Sequence, residues 1–83
     1  MDKERISTWI KTLQGKSRWE LKYESSDLYL SDNLIIAADV YDDYLIFRKL
    51  DNTLRAKDLF QVEIETFNDW GSYYAADRII NAI

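Results

Sequence analysis

The sequence predicts an α+β fold: an N-terminal helix, an antiparallel meander of four or five strands and a C-terminal helix. Apolar residues recur at helical spacing at each end, as Ile6, Trp9, Ile10 and Leu13 and again as Tyr73, Ala76, Ile79, Ile80 and Ile83. Between them the pattern becomes strand-like, broken by turn-forming pairs such as Asp42-Asp43 and Asp51-Asn52. No proline, linker or low-complexity tract interrupts that order. Residues 1–83 therefore read as a single domain, with both helices on one sheet face or, alternatively, one on each.

The first helix can be capped by Asp2 and ended by Gly15. After it, Trp19, Leu21 and Tyr23 alternate with Arg18, Glu20, Lys22 and Glu24, the period of a strand with a charged outer face. That alternation breaks at Ser25-Ser26-Asp27. Leu28-Tyr29-Leu30 forms a short strand before a turn at Ser31-Asp32-Asn33, and Leu34 to Tyr41, apolar on both faces, is the central strand. Asp42-Asp43 reverses the chain into Tyr44 to Leu50, and Asp51-Asn52 reverses it again. A last strand has Phe60, Val62 and Ile64 alternating with Gln61, Glu63 and Glu65. Thr66-Phe67-Asn68-Asp69 has the form of a capping box opening the final helix. Trp9 and Trp19 are expected in the core.

The chain has 83 residues, and a core of this size buries only about 60% of the surface its unfolded chain exposes. Three Trp, six Tyr and three Phe nevertheless supply enough apolar surface to exclude disorder. Cys and His are both absent, which removes disulfides, thiol nucleophiles, imidazole bases and the commonest transition-metal ligands. With only Gly15 and Gly71, neither a phosphate-binding loop nor a dinucleotide fingerprint can be written. Asp39, Asp42 and Asp43 offer oxygen ligands, but not at the spacing of a calcium loop. No enzyme activity, metal or cofactor is expected. The leading residues Met1-Asp2-Lys3-Glu4-Arg5 are charged, and the longest aliphatic run, Leu34 to Ala38, is far short of a membrane span, so the expected location is the cytoplasm with no membrane partner.

The most informative feature is electrostatic. From Tyr23 to Phe47 the chain carries Glu24, Asp27, Asp32, Asp39, Asp42 and Asp43 with no Lys or Arg, among Tyr23, Tyr29, Tyr41 and Tyr44. Turn chemistry accounts for Asp27 and Asp32, because Asp side chains cap nearby backbone groups. Asp39 lies inside a strand, and if Ile36 and Ala38 face the core it shares the other face with Ile35, Ala37 and Tyr41, beside Tyr44 and Ile46. The candidate partner-binding residues are therefore Asp39, Tyr41, Asp42, Asp43 and Tyr44. Trp70, Tyr74 and Asp77 join them as a second acidic aromatic edge at i, i+4 and i+7 of the last helix. Basic residues cluster as Lys16, Arg18 and Lys22 and as Arg48, Lys49, Arg55 and Lys57; pairing with Glu20, Glu24, Glu63 and Glu65 across strands is the expected role. The net charge of -4 argues against direct nucleic-acid binding.

A very small, acidic domain free of Cys and His, in the order helix, strands, helix, resembles small phage-encoded inhibitors, anti-CRISPR proteins in particular. Several of those present carboxylates to the basic nucleic-acid-binding channel of a nuclease or surveillance complex. The resemblance implies the same role for Asp39, Asp42 and Asp43. The alternating basic segments depart from the uniformly acidic surface of a full DNA mimic. The expected function is thus non-enzymatic inhibition of a basic, nucleic-acid-handling protein. The alternatives are an immunity protein, or a structural or regulatory module that forms a homodimer through the sheet face around Ile35, Tyr41, Tyr44 and Ile46.

Overall fold

The computed structural model describes residues 3–24, 26–31, 33–51 and 55–83. The elements run α1 (Lys3–Leu13), α2 (Arg18–Tyr23), β1 (Ser26–Ser31), β2 (Leu34–Tyr41), β3 (Tyr44–Leu50), β4 (Ala56–Glu63), α3 (Ile64–Asp69) and α4 (Ser72–Ala82). The strands form one sheet in the order β1-β2-β3-β4, each antiparallel to the next, so the expected α+β meander is present. The capping role expected of Asp2, and the turn or break positions Ser25, Asp32 and Asn52, lie outside the described residues.

One parity of the sheet faces the helices. Ile36 and Ala38 of β2, Leu45 and Phe47 of β3 and Val62 of β4 share a buried cluster with Ile6, Trp9, Ile10 and Leu13 of α1, Leu21 of α2, Phe67 of α3 and Ala75, Ala76 and Ile79 of α4. The buried opposite-parity residues Ala37 and Ile46 lie outside that cluster. The helices therefore cover one face, the first of the two arrangements the sequence allowed. Buried Ser7, Ala75 and Ala76 let α1 and α4 approach closely, and the Ser7 hydroxyl donates to Ser72 Oγ at 2.9 Å. Gly15 ends the first helical segment as expected, with φ at +79°, where glycine has no Cβ penalty. Around it Gln14 Nε2 donates to the carbonyls of Phe67 (3.1 Å) and Trp70 (2.8 Å), and Gly15 N–H donates to Asn68 Oδ1 (2.9 Å). The Phe67 carbonyl also accepts from Trp70 N–H at the end of α3, whereas the Trp70 carbonyl lies beyond that helix and Asn68 offers its side chain, so these bonds tie the end of α1 to the end of α3.

Several expectations are corrected, beginning with the break at Ser26-Asp27 and the turn role of Asp27: both residues lie within β1, paired with Ala38 and Ala37. Residues 18–23 form a helix, not a strand: the Ser17 side chain accepts from Glu20 N–H while the Glu20 carboxylate accepts from Ser17 N–H, a complete capping box. Only Leu21 is buried there; Trp19 is 59% exposed and is no core residue. The last strand stops at Glu63, and Ile64 and Phe67, three apart, bury one side of a short helix. Thr66 to Asp69 thus lie inside α3, and Gly71 takes the cap position of α4 with no side-chain cap. Along α4 the buried face is Ala75, Ala76 and Ile79, with Ile80 and Ile83 packed partly against the core, whereas Tyr73 is exposed. Among the described residues no helix is long and apolar enough to cross a membrane.

These placements separate two substitutions. Ile36→Val, at a fully buried position, is expected to lower stability by about 0.5–1.5 kcal/mol in urea unfolding. Trp19→Ala removes a far larger group yet is expected to stay within about 0.5 kcal/mol of the parent, because that ring packs outside the core.

Candidate functional site

The face of the sheet turned away from the helices is assembled by register. In β2 and β3, Ile35 lies opposite Leu50, Ala37 opposite Arg48, Asp39 opposite Ile46 and Tyr41 opposite Tyr44. On the outer strands, β1 adds Asp27 opposite Ala37 and Tyr29 opposite Ile35, and β4 adds Asp58 opposite Arg48, Gln61 opposite Ile46 and Glu63 opposite Tyr44. Directly opposed residues share a face, so all of these project to the uncovered side. Tyr29 is 63% exposed, Tyr41 73% and Tyr44 36%.

Arg48 organises the centre of this face. Its Nη1 lies 3.1 Å from Asp39 Oδ2 and its Nε 2.8 Å from Asp58 Oδ1, a bridge across three strands. At the edge of the face, the Asp42-Asp43 turn joins β2 to β3. Asp42 has φ at +54°, a left-handed conformation that Asp tolerates better than most residues. Arg18 Nη1 of α2 reaches Asp42 Oδ1 at 3.7 Å and Asp43 Oδ1 at 3.4 Å, and the Asp43 carbonyl accepts from Ile64 N–H at 2.9 Å. The turn is thus held from both neighbouring helices. Because β1 begins opposite Ala38, the end of β2 has no strand on that side, and α2 flanks it instead. Lys22, Asp39, Val40, Tyr41, Ile46 and Arg48 line the resulting groove.

Five of the expected site residues come together. Asp39, Tyr41 and Tyr44 share the open face, and Asp42 and Asp43 form the turn at its edge. Trp70, Tyr74 and Asp77 do not join them. Trp70 ends α3 rather than lying on α4, so its spacing to Tyr74 crosses a helix break. Its ring packs on the helical side of the sheet, 6.2 Å from Phe60, 6.3 Å from Phe67 and 5.1 Å from Tyr74, while Asp77 pairs with Lys3 at 2.9 Å. The cations also pair differently from expectation. Lys16 does meet Glu24, but Arg18 and Arg48 engage aspartates. Asp58 and Tyr29 enter the surface through register, which local spacing does not disclose.

Carboxylates dominate the assembled surface: Asp27, Asp39, Asp42, Asp43, Asp58 and Glu63 stand with Arg18, Lys22 and Arg48. Among the described residues no group of three or more His, Cys, Asp or Glu is placed to hold a metal ion. An open face with rings and charges suits contact with another macromolecule rather than enclosure of a small molecule. Compared with protein-family models, curated proteins and solved structures, the chain has no match in any of the three.

The turn geometry is testable by substitution. Asp42→Val is expected to cost about 1–2 kcal/mol in urea unfolding, because a branched Cβ is forced into the left-handed region. Asp42→Gly, free of that clash, is expected to stay within about 0.5 kcal/mol of the parent.

Proposed function

We propose that this chain is a non-enzymatic, stoichiometric binding protein that docks its open sheet face and Asp42-Asp43 turn onto a basic protein surface. Occupying that surface makes it an inhibitor. One observation carries this reading: a whole sheet face lies free of helices and bears exposed tyrosines among carboxylates that outnumber the cations. Tyrosine provides large contact area at little cost in side-chain entropy, and carboxylates steer encounter with a positive partner. The internal arginines do not cancel this field. Arg48 is shared by Asp39 and Asp58, and Arg18 by Asp42 and Asp43, so each group keeps an excess of negative charge while its geometry is held. Extended basic surfaces of the complementary kind are typical of proteins that hold the phosphate backbone of nucleic acid, which makes a nucleic-acid-handling protein the proposed target.

A second reading is favoured by half-buried Ile35 and Leu50, which put aliphatic surface on the same face, where Ile46 is buried between its neighbours. Large exposed apolar patches mark association sites, and the second occupant would be another copy of this chain.

Binding of an arginine-rich synthetic peptide, a minimal basic surface, tests the first reading by calorimetry. Asp43→Lys with Glu63→Lys is expected to weaken it on the order of tenfold and flatten its salt dependence. Tyr41→Ala is expected to weaken it without changing that dependence. Equal affinity and equal salt dependence in the charge-reversed protein would overturn the acidic-face mechanism. Sedimentation equilibrium addresses the second reading: a monomer at all concentrations excludes self-association, whereas a dimer dispersed by Ile35→Glu establishes it.

A further inference from the structure

The chain's net charge of -4 conceals an uneven arrangement along the sheet. Asp42, Asp43, Glu63 and Glu65 gather at one end, where β2 passes to β3 and β4 passes to α3. Lys49, Arg55 and Lys57 gather at the other, around the end of β3 and the start of β4. Lys49 is the direct cross-strand partner of Lys57. Antiparallel neighbours hold their Cα atoms about 4.5–5.5 Å apart, and like charges placed so are destabilising.

Among the described residues no carboxylate pairs with either lysine. Among the described residues, the side chains of Lys49, Arg55 and Lys57 make no ion pair, whereas Lys3, Lys16, Arg18 and Arg48 each have a carboxylate partner. The neighbouring Arg48 projects to the other face, where Asp39 and Asp58 hold it. Asp51 accepts from the Arg55 backbone N–H at 3.3 Å, which leaves the guanidinium unused by that bond. Among the described residues from 49 to 57 no large apolar side chain is exposed, and Tyr29, at the same end of the sheet by register, stands two strands away through Ile35 and Leu50. A protein interface needs such anchors, whereas a phosphate backbone is held by charge and hydrogen bonding alone.

Distance answers the objection from net charge. Six positions separate Asp43 from Lys49 along the chain, and six separate Lys57 from Glu63. At about 3.4 Å per residue that is about 20 Å, between two and three Debye lengths at physiological salt, where the screening length is about 8 Å. Repulsion from the acidic end is therefore largely screened at the lysines.

We propose that the Lys49, Arg55 and Lys57 end of the sheet contacts the phosphate backbone of nucleic acid. This deepens the function proposed above, and rests on it for its setting: with the acidic face docked on a nucleic-acid-handling protein, the basic end touches the strand that protein holds. The contact itself is independent of the partner. Fluorescence anisotropy of a labelled single-stranded oligonucleotide, titrated with the intact protein between about 50 and 200 mM salt, reads it. The expected result is weak, sequence-independent binding whose log affinity falls against log salt with a slope of about -2, as three phosphate contacts require. Lys49→Gln with Lys57→Gln is expected to weaken binding about tenfold and bring the slope close to that of a single contact, with a melting temperature unchanged or higher because the like-charge pair is gone. Absence of binding at the lowest salt, or binding indifferent to loss of both lysines, would overturn the proposal. Asp43→Lys with Glu63→Lys separates the two ideas. Unchanged peptide binding in that variant sinks the acidic-face reading alone, and unchanged oligonucleotide binding in the lysine variant sinks this one alone.

Discussion

Burial of Phe47 is the constraint on which the rest of the structure depends. Its ring is fully buried and meets Trp9 of α1 edge-on at 5.9 Å, Phe60 of β4 at 5.0 Å and Phe67 of α3 at 5.6 Å. One side chain therefore joins a helix from each end of the chain to adjacent strands. Because strand side chains alternate, turning Phe47 inward carries Leu45 inward and sends Ile46 and Arg48 to the opposite face. Register then carries Asp39 and Tyr41 out with them. The open face is the complement of the core, and a one-residue slip of β3 would exchange the two.

The four helices cover one side of the four-stranded sheet, and the apolar residues on the other are screened locally. Arg48 supplies the screen. It lies opposite Ala37 and two residues from Ile46, both buried without any helix above them, and its aliphatic stem can cover them while the guanidinium reaches carboxylates. With half-exposed partners, ion pairs of this kind contribute at most about 1 kcal/mol each. The bridge matters more for holding Asp39 and Asp58 in position than for stability.

Much of this was legible in the residues themselves. The spacing of Ile6, Trp9, Ile10 and Leu13 foretold α1, and the run from Leu34 to Tyr41 bounded by Asp42-Asp43 foretold β2 and its hairpin, because those patterns are long or carry strong turn chemistry. Short segments were not decided by periodicity. In Arg18 to Tyr23, six residues satisfy a period of two as readily as a helical turn, and the deciding signal was the Ser17 to Glu20 capping box just upstream. At Ile64 the alternation of β4 runs on by one residue into a helix, since the first buried residue of α3 falls on strand parity. Trp70, Tyr74 and Asp77 looked collinear only because a break at Gly71 is invisible to an i, i+4 count. Asp39, Tyr41 and Tyr44 were placed correctly from local alternation and a hairpin, whereas Asp58 and Tyr29 depended on pairing between strands, information that is not local.

The contact between α1 and α4 bears on how the chain acquires its structure. α1 has α4 as its main helical neighbour, and Gln14 and Gly15 bind groups more than fifty positions downstream. Closing such long loops carries an entropic cost that contacts repay only late. During synthesis, the side of α1 that packs on α4 stays uncovered until residues 72–82 have emerged. Loss of α4 would therefore uncover part of the apolar stripe of α1 and expose it to chaperones or aggregation.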